Sequence, residues 1–297
     1  MPNPKFIGSG VALVTPFDKN GVNERVLREL VRFQIEAGTD ALIICGSTGE
    51  AATMSPEEQR RALEIAVDEN HDRVPIIAGC GGSDTAQVKK LAAQARSAGV
   101  DAILISAPPY NKPTQQGIVA HYRAVMDAAD LPAIVYNVPG RTSVNILPAT
   151  IEQMAEDERV IGVKEACADI SQIAELARRL PDRVWIWSGN DDQTIPIMSL
   201  GGKGIISVMA NVIPAETSKL AHAYHDGDLE TARSMQLRYL PLIGALFAEA
   251  NPIPVKFGVE WLGFDVGQPR MPLMTISPAI RERLIAALTD VGVQPRR

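Results

Sequence analysis

A short apolar run followed by a longer amphipathic stretch recurs about eight times along the chain, at intervals of roughly 20–35 residues. The apolar runs are residues 10–15, 41–45, 74–78, 102–106, 133–137, 160–164, 184–187 and 204–208. Between them, residues 23–37, 55–69, 84–98, 116–129 and 171–180 carry apolar side chains at helical spacing. The runs are continuously apolar rather than alternating, as expected of parallel strands covered on both faces. Helix punctuation agrees. Ser55 precedes Pro56, Glu57 and Glu58, which supplies a cap, a proline in the first turn and early acids. Gly38 and Gly99 stand where a helix must stop before the next strand. Eight such units predict an α/β fold, a (β/α)8 TIM barrel. The competing arrangement is an open doubly wound sheet, but no Gly-x-Gly-x-x-Gly turn follows the first run.

After the eighth run the pattern is helical to the end, over residues 214–225, 228–250, 254–261 and 277–291. That exceeds the single helix needed to close a barrel. Residues 1–225 are therefore expected to form the barrel and residues 226–297 a helical extension suited to an oligomer contact. No glycine- or serine-rich linker separates them, so they are read as one structural unit. The chain is 46% hydrophobic, enough for a large core. A net charge of −6 with both signs interspersed gives no basis for binding nucleic acid or an anionic membrane surface. No apolar run approaches the roughly 20 residues that span a bilayer. Met1-Pro2-Asn3-Pro4-Lys5 leads straight into a strand-like stretch, without a secretory segment. Cys45, Cys80 and Cys167 are too few and too odd for a disulfide framework, which suits a reducing, cytoplasmic setting. They read as small buried hydrophobes, although Cys45 and Cys80 sit at strand ends. His222 and His225 share a helix face, but no third metal ligand is evident nearby, so no metal site is expected.

In such barrels chemistry sits at the C-terminal ends of the strands. The sixth run, Val160-Ile161-Gly162-Val163, ends in Lys164. A lysine in apolar surroundings loses hydration, its pKa falls, and the neutral amine attacks carbonyls to form a Schiff base. Taken alone, Lys164 also reads as a solvated residue at the start of a loop. Its neighbours favour the first reading. The fifth run ends in Tyr136, and strands five and six are adjacent in a barrel, so Tyr136 and Lys164 face one another across the mouth. Tyr136, with Ser47 or Thr48, can carry the proton that carbinolamine formation requires. Arg141, a few residues on, has the planar fork for a carboxylate. The second run ends in Gly46-Ser47-Thr48-Gly49-Glu50, two hydroxyls between glycines that suit a small anion or, more simply, a turn. A proline-stiffened loop displays Tyr110, as a functional group or as surface packing. Lys112 and Lys203 are rival lysines, but each lies in a polar or glycine-rich loop.

Several of these segments occur together elsewhere. Gly46-Ser47-Thr48-Gly49-Glu50, Tyr136-Asn137-Val138-Pro139-Gly140-Arg141-Thr142 and Gly162-Val163-Lys164-Glu165-Ala166 resemble the dihydrodipicolinate synthase / N-acetylneuraminate lyase family. The resemblance extends through Ser188-Gly189-Asn190-Asp191-Asp192, Gly201-Gly202-Lys203-Gly204-Ile205-Ile206-Ser207 and Asn251-Pro252-Ile253-Pro254-Val255-Lys256, in order, over nearly the whole chain. It implies a pyruvate-dependent class I aldolase that needs neither metal nor organic cofactor. Lys164 would form the Schiff base, and Thr48 with the Ser47 backbone would hold the pyruvate carboxylate. Tyr136, Ser47 and Tyr110 would form a proton relay, Tyr110 reaching in from the adjacent subunit of a tight dimer. Gly189 and the Ile206 carbonyl would line the pocket. The implied assembly is a homotetramer built as a dimer of dimers.

Within the family, Arg141 marks the synthase branch, where it would bind the carboxylate of L-aspartate 4-semialdehyde. The implied reaction is condensation of that aldehyde with pyruvate on the diaminopimelate and lysine pathway. The alternative within the family is cleavage of sialic acid, a keto-deoxy sugar acid or hydroxy-oxoglutarate by the same lysine. Two positions depart from the synthase pattern: Ser47 replaces a frequent threonine, and Pro109 precedes Tyr110 where a second tyrosine is common. With Ala51, Pro56 and Gln59 at positions usually polar or histidine, the resemblance implies weak or absent feedback inhibition by lysine.

Overall fold

The structure is a computed structural model that describes residues 4–295; the leading Met1-Pro2-Asn3 lies outside the described residues. Eight parallel strands close a barrel: β1 (Gly8–Ala12), β2 (Ala41–Ile44), β3 (Ile76–Cys80), β4 (Ala102–Ser106), β5 (Ala133–Asn137), β6 (Val160–Glu165), β7 (Trp185–Ser188) and β8 (Gly204–Ser207). Each pairs with its sequence neighbours, and β1 pairs with both β2 and β8. The helices are α1 (Glu24–Glu36), α2 (Pro56–Asn70), α3 (Thr85–Ser97), α4 (Gln115–Ala129), α5 (Pro139–Thr142), α6 (Pro148–Met154), α7 (Ile170–Arg179), α8 (Thr194–Met198), α9 (Pro214–His225), α10 (Leu229–Leu246), α11 (Ile253–Trp261) and α12 (Pro278–Asp290). The fold is thus the (β/α)8 barrel, with α10 to α12 following α9, the helix after the last barrel strand.

Local chemistry sets the boundaries. Ser55 caps α2 by accepting from the Glu58 backbone, while the Glu58 carboxylate accepts from the Ser55 N–H, a reciprocal capping box. Gly38 and Gly99 adopt the left-handed conformation that ends α1 and α3. The seventh strand is shifted by one residue from the sequence expectation, to Trp185–Ser188, and two others by two or more. The first begins at Gly8, paired with Gly204, and ends at Ala12, because the Val14 N–H leaves the ladder for Asn211 Oδ1. The third begins at Ile76, because Asn70 ties up both backbone groups of Val74 and Pro75 has no N–H. Short α5, α6, α8 and the hairpin Phe17–Asp18/Gly21–Val22 carry too few residues to show a period.

The strands bury both faces, which explains their unbroken apolarity. Leu42, Ile44, Ile103, Ile105 and Val135 face the helices. Ala41, Ile43, Leu104, Ile134, Trp187 and Ile206 fill the barrel interior. Phe6 plugs the interior by stacking on Trp187 at 5.0 Å between ring centroids, and its carbonyl accepts from Trp187 Nε1. Gly162 makes room for that indole, since a Cβ there would lie 2.2 Å from the ring. Tyr136 continues the inward-facing row of Ile134 one step nearer the mouth. In the ladder Tyr136 pairs with Lys164, so both side chains leave the apolar interior at the same level.

Candidate active site

The C-terminal ends of β2 to β7 surround a cavity of about 460 Å³ whose wall includes Ser47, Thr48, Tyr136, Arg141, Lys164 and Gly189. Lys164 is 5% exposed and its Nζ lies 4.5 Å from the centroid of the Tyr136 ring. Burial strips water from the ammonium; the negative charge of Asp191 resists the loss of the proton and Arg141 assists it, leaving the pKa at about 7. An amine that is substantially neutral at physiological pH is therefore available beside a phenol. Tyr136 is buried as well. Burial pushes its pKa up to about 12, with Arg141 opposing and Glu165 assisting, so the resting phenol is protonated and can donate.

The carboxylates around Lys164 are already engaged. Asp191 is buried and accepts hydrogen bonds from Ser207 Oγ and from the Val208 and Met209 N–H groups, both at 3.1 Å. Burial raises its pKa against those bonds and the nearby Lys164 charge. Glu165 is on the outer face of β6. It accepts from Asn137 Nδ2 at 3.1 and 3.2 Å and from the Cys167 N–H at 2.8 Å. Asn137 also accepts from the Ile146 N–H, so this polar cluster pins the segment that carries Arg141. Lys256, fully buried, takes the opposite course to Lys164: it pairs with Glu50 at 2.8 Å and also donates to the Gln268 carbonyl.

The other expected residues divide. Ser47 is exposed at the cavity wall, and Thr48 beside it is buried and accepts from Asn251 Nδ2 at 2.9 Å. Arg141, on α5, lies at the rim and donates to the Asn251 carbonyl at 3.2 Å. Gly189 is required by close approach: a Cβ there would stand 3.1 Å from Lys164 Cε and 2.8 Å from Ala166 Cβ. Ile206 is fully buried in the barrel interior and is not part of the cavity wall, where Val208 is. Tyr110 is 88% exposed, at positive φ, and does not line the cavity of its own chain. Cys45 and Cys80 do line it, as buried thiols whose pKa burial pushes up. Lys112 is exposed, and Lys203 is half-buried with its Nζ 5.8 Å from the Trp185 ring. His222 hydrogen-bonds Asp40 at 3.0 Å, and among the described residues no group of three or more metal-ligating side chains converges. Among the described residues no helix is long and apolar enough to cross a membrane.

Sequence reasoning missed Asp191, Asn251 and Lys256 as parts of this region. Asp191 stood in a strand-end motif and was legible as a polar residue where the barrel opens. Asn251 and Lys256 open and close the motif Asn251-Pro252-Ile253-Pro254-Val255-Lys256, but their partners Thr48 and Glu50 lie 203 and 206 residues away in sequence.

These features can be set beside known proteins. Residues 5–291 match the model of the dihydrodipicolinate synthetase family. A 4-hydroxy-tetrahydrodipicolinate synthase from Thermoanaerobacter sp. is 50% identical over 291 residues, 98% of each chain. One from Acetivibrio thermocellus is 45% identical over 99% of this chain and 100% of its own. Among solved structures, the dihydrodipicolinate synthase from Aquifex aeolicus superposes with a TM-score of 0.96 at 38% identity, covering 98% of this chain and 100% of that one. That from Thermotoga maritima gives 0.94 at 39% identity over 97% and 99%. With a barrel of the same topology, a buried lysine facing a tyrosine, and a match along nearly its full length, this chain belongs to the dihydrodipicolinate synthetase family.

Proposed function

We propose that the chain condenses pyruvate with L-aspartate 4-semialdehyde, the 4-hydroxy-tetrahydrodipicolinate synthase reaction of diaminopimelate and lysine biosynthesis. The observation that carries this reading is the buried, low-pKa Lys164 held against Tyr136 in a cavity rimmed by Arg141. The neutral Nζ adds to the pyruvate carbonyl, and the Tyr136 phenol gives a proton to the departing hydroxyl, releasing water. The Tyr136 phenolate takes a methyl proton from the resulting iminium to give an enamine, whose carbon attacks the aldehyde as the phenol returns the proton to the aldehyde oxygen. The amino group of the semialdehyde then displaces Lys164 from the imine carbon, closing the ring and freeing the lysine.

Thr48 and the Ser47 backbone hold the pyruvate carboxylate, and Arg141 takes the carboxylate of the aldehyde. Ser47 and Tyr110 extend the relay from Tyr136 to solvent, and Gly189 leaves room for the Schiff base. Tyr110 serves the site of a neighbouring subunit in a homotetramer built as a dimer of dimers; its exposure in the single chain supports this role. The enzyme works in the cytoplasm without a cofactor, and its three free cysteines suit that compartment.

The test is a coupled assay with both substrates and an NADPH-dependent reductase for the product, run beside Lys164→Ala. Turnover in the wild type that vanishes in the variant is expected. A folded wild type without turnover would direct attention to cleavage of sialic acid and keto-deoxy sugar acids.

A further inference from the structure

Asn251 belongs to no barrel strand. It lies between α10 and α11, yet it lines the cavity and is only 7% exposed. It reaches two separate parts of the site. Its side-chain Nδ2 donates to Thr48 Oγ1 at 2.9 Å, while its main-chain carbonyl accepts from Arg141 Nη2 at 3.2 Å. Its Oδ1 is buried without a hydrogen-bond partner among the described residues. A little further along the same segment, Lys256 grips Glu50, so the loop after β2 is held from the extension at two points.

A threonine hydroxyl has one hydrogen and two lone pairs. Once Asn251 fills a lone pair, the hydrogen of Thr48 is free to point elsewhere as a donor, which is what a carboxylate requires. We propose that Asn251 is a positioning residue that presents the Thr48 hydroxyl as a donor to the pyruvate carboxylate and, separately, steadies Arg141 through its main chain. This rests on the pyruvate and aldehyde assignments above. The two links differ in kind: truncating the side chain removes the first and leaves the carbonyl of the second.

The test is therefore a split between two Michaelis constants. In Asn251→Ala the KM for pyruvate is expected to rise about tenfold, the cost of one hydrogen bond in a charged site, while the KM for the aldehyde stays within about twofold. Asn251→Asp keeps the shape, cannot donate to Thr48, and places a negative charge beside the pyruvate carboxylate. It is expected to be at least as impaired for pyruvate as Asn251→Ala, and it carries the test if the alanine variant does not fold. Thr48→Val combined with Asn251→Ala is expected to be no worse than Thr48→Val alone, because one residue acts through the other. Equal rises in both KM values, near-normal pyruvate KM in Asn251→Asp, or additive losses in the double variant would each overturn the inference. Borohydride trapping of pyruvate on the wild type separates the cases: its failure would sink the Schiff-base reading, and its success leaves the variants to judge Asn251.

Discussion

The acidity of Lys164 gives a test in which pH itself is the perturbation. With a pKa of about 7, instead of the ordinary 10.5, about half of the molecules carry a neutral amine at pH 7. At the ordinary value the share would be about one in three thousand. The measurement is the initial rate of borohydride-trappable Schiff-base formation at low pyruvate. From pH 6 to pH 8 the neutral fraction climbs from about a tenth to about nine-tenths, so the rate should rise about tenfold and then level off. A lysine of ordinary acidity would instead give about a hundredfold rise over that interval and keep rising beyond pH 9. A slope that persists without a plateau would refute the reading of the site.

Stability must follow the same titration. Between pH 7 and 10.5 the unfolded chain binds the lysine proton more tightly than the folded one, so stability rises with pH across that window. The cost is fully present below the folded value and fades as pH approaches the unfolded one. Lys164→Met removes it, and the variant should exceed the wild type by about 5 kcal/mol at pH 6, about 4 at pH 7 and about 2 at pH 9. Urea unfolding at matched protein concentration reads the difference. A gap of the same size at all three pH values would show that packing, not ionisation, separates the two proteins.

Other expectations are more local. Gly189→Ala places a methyl 3.1 Å from Lys164 Cε, and Schiff-base formation should slow about tenfold in a protein that still folds; an unchanged rate would mean the lysine has room to move aside. Tyr110→Phe should lower kcat about a hundredfold with little change in either KM, and wild-type turnover would remove Tyr110 from the relay. Submillimolar lysine should leave turnover unaltered: Gln59 is buried, with its amide spent on the Ala51 carbonyl, and Pro56 is built into the first turn of α2. Clear inhibition in that range would contradict this.

The fold was legible because barrel strands announce themselves twice, by unbroken apolar runs and by the helices between them. What shifted were ends. Pro75 and Asn70 delay β3, and Asn211 draws Val14 out of β1; none of these follows from a hydrophobic count. Lys164 and Tyr136 were legible for a related reason: each interrupts an apolar run where the interior reaches the cavity. Asn251 was not, because its meaning depends on Thr48, and only the closed fold brings the extension onto the loop after β2. Tyr110 is a third kind of case, since a single chain leaves it in solvent and the role proposed for it calls on a second copy.

Two buried lysines stand near this cavity, and the contrast between them explains why one can be the nucleophile. Burial lowers the pKa of both. Lys256 recovers part of that loss through Glu50, whose carboxylate is held at 2.8 Å and also accepts from the Arg270 N–H. Lys164 has no such recovery. Glu165, next to it in sequence, points to the outer face of the strand and is bound to Asn137 and the Cys167 N–H. Asp191 spends its carboxylate on Ser207, Val208 and Met209, so it acts on Lys164 through its field and not through an ion pair. That distance has a chemical use. A direct ion pair would keep the amine protonated and inert, whereas a carboxylate held back leaves it free to attack. The iminium that follows is a fixed cation in the same buried place, and the Asp191 field favours it over the neutral amine. The hydrogen bonds that hold Asp191 away from Lys164 thus serve both states, a nucleophile that must lose a proton and an intermediate that must keep a charge.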